Sequence, residues 1–355
     1  MKKIIAMMLA LVLVLSLAAC AKQTATEPKT DAPAQTAAEQ PADTSADTAD
    51  TADTAEPAAD KQYKFGLMLY SSSDEATTTI MNGVKKAAEA AGVELVIGEN
   101  GGDATKTAAL LQTMLSQEVD AIIDATWDAS VGLTTSQICK DKGIPLVTCD
   151  VEYDDYAHLV GANNYGSGTV NGEYVSNWIQ ENWGGSVDYV LAMYYFAGGE
   201  GVKARIDGCL DAMKDAGVLP AEENVIWQDN NGATDKSKTI VTDFLTAHPD
   251  AEKIFIVSNN DSGSLGAYNA VSTMGRDANC IITGYNADSF ALEHLATTED
   301  DSWKGTVNFN LAGYGDLAVP ALLEILQTGT DNIPHELNTQ TFIIDRSNVA
   351  DYYNG

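Results

Sequence analysis

Arginine is nearly missing from this chain. Its 355 residues hold 20 Lys+Arg against 51 Asp+Glu, a formal net charge of −31, and the arginines are Arg205, Arg276 and Arg346 alone. A phosphate backbone is held by clustered cations that displace counterions, so nucleic acid is excluded as a partner. Docking on an anionic membrane through a basic face is excluded on the same ground. Histidine is scarce too: His158, His248, His294 and His335 are scattered, form no His-Glu-x-x-His pair, and are read as surface or loop residues. There is no G-x-S-x-G nucleophile elbow and no Gly-Lys-Ser/Thr phosphate loop. Gly166-Ser167-Gly168 is followed by Gly172, one residue beyond the dinucleotide spacing. Asp229-Asn230-Asn231-Gly232 hints at a calcium loop, but Trp227 holds its first ligand position and no Glu holds its twelfth. No catalytic centre, metal or cofactor is therefore expected. Besides Cys20 there are Cys139, Cys149, Cys209 and Cys280; free buried thiols and a disulfide both remain open, and no pairing can be deduced.

The first sixty residues lack what a fold needs. Lys2 and Lys3 precede an apolar run from Ile4 to Leu17, too short for a comfortable membrane span, and Leu17-Ala18-Ala19-Cys20 places small residues before a cysteine. Residues 1–20 thus read as a signal peptide resembling that of a bacterial lipoprotein, with Cys20 as the lipidation site. An ordinary secretory signal with a chance cysteine is the alternative. Residues 21–60 hold no aromatic and no aliphatic larger than Ala. Such a segment cannot offset its ordering entropy, and it reads as a disordered acidic Ala/Thr/Asp/Pro tether spanning roughly 35 Å. The charge divides accordingly: +2 on the signal, −7 on the tether and −26 on the body from residue 61.

That body alternates. Lys64 to Tyr70 is a short β-rich run, and Ile80, Val84, Ala87, Ala88 and Ala91 then fall on one helical face that stops at Gly92. Strands are expected at Val93–Ile97, Ala121–Ile123, Pro145–Thr148 and His158–Val160, each followed by a helical stretch. The pattern restarts with strands at Val187–Tyr194, Asn224–Gln228, Lys253–Val257, Cys280–Thr283 and Gly305–Phe309, and ends with Thr341–Ile344. Strand–helix alternation implies right-handed crossovers and parallel sheets covered on both faces. Nine or ten such units exceed one open sheet. Two similar Rossmann-like α/β lobes are the economical solution.

In such sheets ligands bind beyond the carboxyl ends of the strands. Those ends carry Tyr70 and Asp74, Asp124 and Trp127, Asp150, Tyr194-Tyr195-Phe196, Asn230-Asn231, Asn259-Asn260-Asp261, Asn286 and Asn308-Phe309-Asn310. Asp and Asn exchange paired hydrogen bonds suited to adjacent hydroxyls, and an aromatic face suits the C–H face of a sugar ring. Any one of them reads equally well as a helix cap; their recurrence in both halves favours a ligand.

Several stretches carry a specific resemblance: Gly143-Ile144-Pro145-Leu146-Val147-Thr148-Cys149-Asp150, Val160-Gly161-Ala162-Asn163-Asn164, Phe244-Leu245-Thr246-Ala247-His248-Pro249-Asp250 and Asn259-Asn260-Asp261. Through them the body, from residue 63 to about 346, resembles the ribose-type periplasmic sugar-binding proteins, type I solute-binding receptors of ABC transporters. The resemblance implies two lobes joined by three crossings: 61–162 plus 310–337, and 163–309 plus 338–355. It implies ligand contacts at Tyr70, Asp74, Thr77, Asp124, Asp150, Lys203, Asn231, Asn260, Asn286 and Phe309, with Trp127 and Asp261 beside them. The chain departs from the family where Val151 follows Asp150, where Ala76 and Thr77 replace stacking aromatics, and where Lys203 replaces an arginine. Four carboxylates, Asp74, Asp124, Asp150 and Asp261, are then expected to face one lysine, which suits a neutral or positively charged ligand. The implied function is that of a monomeric, lipid-anchored, extracytoplasmic solute-binding protein that delivers a small polar solute, a sugar or polyol, to an ABC transporter permease. Coupling to a chemoreceptor or sensor kinase is the alternative, and no enzymatic step is implied.

Overall fold

A computed structural model describes residues 61–329 and 332–353. The signal, Cys20 and the tether lie outside the described residues. In chain order the elements are β1 (Lys64–Leu69), α1 (Glu75–Ala91), β2 (Glu94–Glu99), α2 (Thr107–Ser116), β3 (Ala121–Ala125), α3 (Ala129–Lys142), β4 (Leu146–Cys149) and β5 (His158–Ala162). Next come α4 (Asn164–Trp183), β6 (Tyr189–Tyr194), α5 (Gly199–Asp215), β7 (Val225–Asp229), α6 (Thr234–Ala247), β8 (Ile254–Ser258), α7 (Asp261–Thr273), β9 (Cys280–Asn286), α8 (Ser289–Thr297) and β10 (Trp303–Asn308). Last are α9 (Tyr314–Thr328), β11 (Glu336–Thr339) and β12 (Phe342–Asp345).

The strands form two six-stranded sheets of the same order, β11-β5-β4-β3-β1-β2 and β12-β10-β9-β8-β6-β7. All pairings are parallel except β10 with β12. Alternation along β1 shows why the sheets are covered on both faces. Phe65, Leu67 and Leu69 pack with Ile80 and Val84 of α1, whereas Met68 joins Leu111 and Met114 of α2. Each such side chain is fully or almost fully buried, a contribution of roughly 1.5–3 kcal/mol apiece before entropy is counted.

One strand escapes the sequence reading. Residues 338 and 339, assigned from sequence to the second lobe, belong to β11 and pair with Gly161 and Ala162 in the first sheet. Glu336 to Thr339 lies at a sheet edge with its side chains alternating between half-buried and exposed, so it carries none of the apolar run that marks the inner strands. The histidine reading also needs correction, because His158 is a buried strand residue whose Nδ1 lies 3.0 Å from the Pro334 carbonyl. Cys139, Cys149, Cys209 and Cys280 are free and buried. Burial pushes the Cys139 and Cys280 thiols up to about 12, which leaves them neutral core residues.

Two glycines set the approach of α4 to α5. A Cβ on Gly168 would lie 2.2 Å from the Arg205 carbonyl oxygen, and one on Gly208 would lie 2.2 Å from that of Tyr165. The Gly166–Gly172 segment is therefore a packing surface, and it fixes the helix that carries Arg205.

Candidate functional site

Each sheet has a point where its strand order reverses, between β1 and β3 in the first and between β6 and β8 in the second. At such a point neighbouring loops diverge and leave a crevice at the carboxyl edge. The two crevices meet in one cleft. Tyr70 follows β1 and Trp127 follows β3, while Tyr195 follows β6 and Asn259 and Asn260 follow β8; all five line the same cavity. Asp74, Ala76, Asp150, Val151, Val202, Arg205, Asn231, Gly232 and Asn286 complete its wall. It encloses about 620 Å³, including the part open to solvent, a size suited to a small molecule.

The Tyr70 and Trp127 rings stack, with centroids 5.6 Å apart and planes 30° apart. Together they offer an apolar shelf. The polar wall is built from helix caps and strand ends that do two jobs. Asp74 caps α1 through Oδ1, which accepts from the Thr77 amide at 2.8 Å and the Thr77 hydroxyl at 2.9 Å. Asn260 caps α7 in the same way, accepting from the Gly263 amide at 3.0 Å. Cap and cavity wall thus prove to be compatible roles rather than alternatives.

Asp150 is held from several sides. Its Oδ1 accepts from the Tyr314 hydroxyl at 2.6 Å, and that hydroxyl accepts from the Ala162 amide at 3.2 Å. Asn164 donates to its backbone carbonyl at 3.1 Å. Burial pushes the Asp150 carboxyl up, and Arg205 and Tyr314 partly offset that. Arg205 Nη2 lies 3.6 Å from Oδ1, Nε donates to Asn164 Oδ1 at 2.6 Å, and Nη1 donates to the Asn259 carbonyl at 3.0 Å. The guanidinium also sits 4.5 Å from the centroid of the Phe309 ring.

Four non-glycine cavity residues have positive φ: Trp127 at 60°, Asp150 at 63°, Asn231 at 53° and Asn286 at 116°. Such backbone is costly for anything but glycine, on the order of 1–3 kcal/mol each, and persists where the surroundings over-determine it. At Asp150 the Val151 amide bonds the Cys149 carbonyl at 2.8 Å, which closes a tight three-residue turn and sets the carboxylate's position. Two polar atoms of the wall are buried without a partner, Trp127 Nε1 and Asn259 Oδ1.

Of the residues expected from sequence, Tyr70, Asp74, Trp127, Asp150, Asn231, Asn260 and Asn286 are brought together on the cavity wall. Thr77, Asp124, Lys203, Asp261 and Phe309 are not. Thr77 is fully buried beneath Asp74. Asp124 is fully buried and accepts from the Thr126 amide and hydroxyl, and burial pushes its carboxyl up. Lys203 turns away to pair with Asp207 at 2.6 Å and lies over Trp227. Asp261 is buried inside the second lobe, bonded by the Asp288 amide and the Thr306 hydroxyl. Phe309 is fully buried beneath Arg205. The expected four carboxylates facing one lysine become two carboxylates, Asp74 and Asp150, and one arginine. Sequence reasoning passed over Arg205, yet Val202, Arg205, Ile206 and Cys209 share the buried face of α5. An arginine on a core face is rare unless paired, which was the available signal.

Comparison with known proteins agrees with this geometry. A family model described as a periplasmic binding protein domain matches residues 65–331. The ribose import binding protein of Bacillus subtilis is 23% identical over 286 residues, covering 79% of this chain and 88% of that protein. A putative rhizopine-binding protein of Rhizobium meliloti is 23% identical over 291 residues, covering 79% and 89%. Among solved structures, a solute-binding protein from Actinobacillus succinogenes with bound D-allose superposes with a TM-score of 0.69 at 20% identity, covering 82% of this chain and 100% of that one. One from Bacillus halodurans with bound myo-inositol gives 0.69 at 20% identity, covering 82% and 97%. Two lobes of identical strand order, a cleft at both switch points and a family match across most of the body lead to one conclusion: the chain belongs to the periplasmic binding protein family and has its type I fold.

Proposed function

We propose that the cleft captures a small polyhydroxylated ring, a sugar or a cyclitol, and that the closed protein presents it to an ABC transporter permease. The observation that carries this reading is the convergence of a stacked Tyr70–Trp127 shelf with Asp74, Asp150, Asn231 and Asn286 in one cavity. A flat C–H face rests on aromatic carbon while ring hydroxyls donate to carboxylate and carboxamide oxygens. Relatives named for ribose and neighbours solved with D-allose and myo-inositol support the same ligand class. Binding of a solute between lobes favours their closure, a motion for which periplasmic binding proteins are a standard example. Delivery, rather than chemistry, is the outcome. Upstream, Cys20 would carry the lipid and residues 21–60 would tether the body outside the cytoplasm. A thermal-shift screen of pentoses, hexoses and cyclitols tests the reading, since binding to the folded state raises the melting temperature. No shift with any of them, alongside a shift with amino acids or peptides, would reject it.

A further inference from the structure

The two ends of the cavity wall differ in charge balance. At one end Arg205 and Asp150 face each other, and every nitrogen of the guanidinium has a protein partner: Asn164 at Nε, the Asn259 carbonyl at Nη1 and Asp150 at Nη2. That charge is spent inside the protein. At the other end Asp74 makes no ion pair with any Lys, Arg or His among the described residues. Its Oδ1 serves the α1 cap, leaving Oδ2 for the cavity. The groups around it worsen the imbalance. Glu75 follows in sequence and reaches the second lobe at Ser289, and Asp288 on that lobe feels the charge of both Asp74 and Glu75. Beside Asp74 stands an aromatic surface, for the Tyr70 ring lies close enough that the Asp74 charge helps raise its hydroxyl, after burial, and Trp127 stacks on it. A carboxylate flanked by aromatic faces in a partly desolvated cleft is the arrangement that holds an ammonium group. Two polar atoms of residues on the same wall, Trp127 Nε1 and Asn259 Oδ1, are buried without a partner in the protein.

We infer that the solute is an amine-bearing sugar or cyclitol whose ammonium group is held by Asp74 against the Tyr70 and Trp127 rings. This rests on the reading that the cleft takes a polyhydroxylated ring, and it adds what distinguishes that ring from a neutral one. Acidic sugars and sugar phosphates are disfavoured by the same unpaired carboxylate, because the arginine that would meet them is already engaged.

Calorimetric titration of the full body with matched pairs tests it: D-glucosamine against D-glucose, D-galactosamine against D-galactose, and an aminocyclitol against myo-inositol. The expected result is that the amine of at least one pair binds roughly tenfold or more tighter than its neutral partner. Asp74→Asn should abolish that preference: both members of a pair lose some affinity, and the amine loses roughly tenfold more than its neutral partner, so the two bind alike. The variant is a fair probe because Asn caps a helix as well as Asp does, so the Thr77 bonds and the fold survive. Neutral members binding as tightly as their amines, or an amine preference untouched by Asp74→Asn, would overturn the inference and leave the sugar reading standing. Failure of every member of both series would overturn the sugar reading itself, and the inference with it.

Discussion

Arg205 and Asp150 face each other from different lobes with Nη2 and Oδ1 3.6 Å apart, and only 6% and 7% of their side chains are exposed. Asn164, at the first passage between sheets, donates to the Asp150 carbonyl and accepts from Arg205 Nε. Phe309, at the second, lies under the guanidinium. The pair therefore belongs to the joint between lobes as much as to the cavity. Removing one partner of a buried pair leaves the other charge uncompensated, at a cost of roughly 3–5 kcal/mol. Asp150→Ala should lower the unfolding free energy by about that amount, and Arg205→Met by a similar amount. The double variant Asp150→Ala/Arg205→Met should lose clearly less than the sum. Urea unfolding of the variants at pH 7 measures this, and strictly additive losses would show that the two charges are not coupled.

The lobes and their strand order were legible because each inner strand is a short apolar run followed by an amphipathic helix. Ala121–Ile123 and Lys253–Val257 announce themselves in this way, whereas edge strand β11, with Glu336 and Asn338 exposed, does not. Seven of the twelve expected site residues line the cavity because a strand's carboxyl end is readable from where its apolar run stops. The other five failed for one physical reason. A side chain near a strand end or in the helix that follows can point along the cavity or back into the protein, and which occurs depends on the partner it finds, close in sequence for Thr77, Asp124 and Lys203 and distant for Asp261 and Phe309. Asp124 is turned onto Thr126, and Asp261 onto Asp288 and Thr306. Lys203 finds Asp207 one helical turn on, while Arg205, two residues further along α5, points at Asp150.

A second contact between lobes is smaller and more exposed. The Ser289 amide, first in α8, donates to Glu75 Oε1 at 2.6 Å, and Glu75 is the first residue of α1. A carboxylate at a helix N-terminus is worth about 0.3–1 kcal/mol, too little to matter for folding but enough to affect how long the lobes stay together. Glu75→Ala should therefore speed solute release about two- to five-fold and leave the unfolding midpoint almost unchanged. Stopped-flow tryptophan fluorescence during solute dilution reads the rate. An unaltered rate would remove this contact from any part in closure.

The close approach of α4 and α5 predicts a coupled loss. Gly168→Ala would set its Cβ 2.2 Å from the Arg205 carbonyl oxygen, a backbone atom that cannot swing aside. The helices must separate, at a cost of about 1–3 kcal/mol, and Arg205 and Val202 move with α5. Both melting temperature and solute affinity should fall. Gly201→Ala is the matched control on the same helix, since its nearest neighbour is the Glu152 amide nitrogen at 3.9 Å; it should leave the melting temperature within a degree or two. Equal effects from both substitutions would show that helix propensity, not close packing, is responsible.

Asp261 has no place in the cavity, yet it should set how stability responds to pH. It is fully buried, its Oδ1 has no partner, and burial pushes its carboxyl up to about 7 even though the Asp288 amide and Thr306 hydroxyl favour the charged form. Asp288 beside it is pushed up by burial first and by the Asp261 charge next, with Glu75 and Asp74 adding to it from the other lobe. In the unfolded chain an aspartate releases its proton near pH ~4. Between about pH 4 and 7 the folded protein therefore binds more protons than the unfolded one, and stability falls as pH rises, by up to about 1.4 kcal/mol per pH unit for each such proton. The contribution is complete below pH ~4 and lost once pH passes the folded value. Asp261→Asn, which mimics the neutral acid, should flatten the curve across this window and unfold at higher urea than the parent at pH 8. Unfolding midpoints measured from pH 4.5 to 8 decide the matter: parallel curves for parent and variant would mean that Asp261 is already ionised in the folded protein at the acid end.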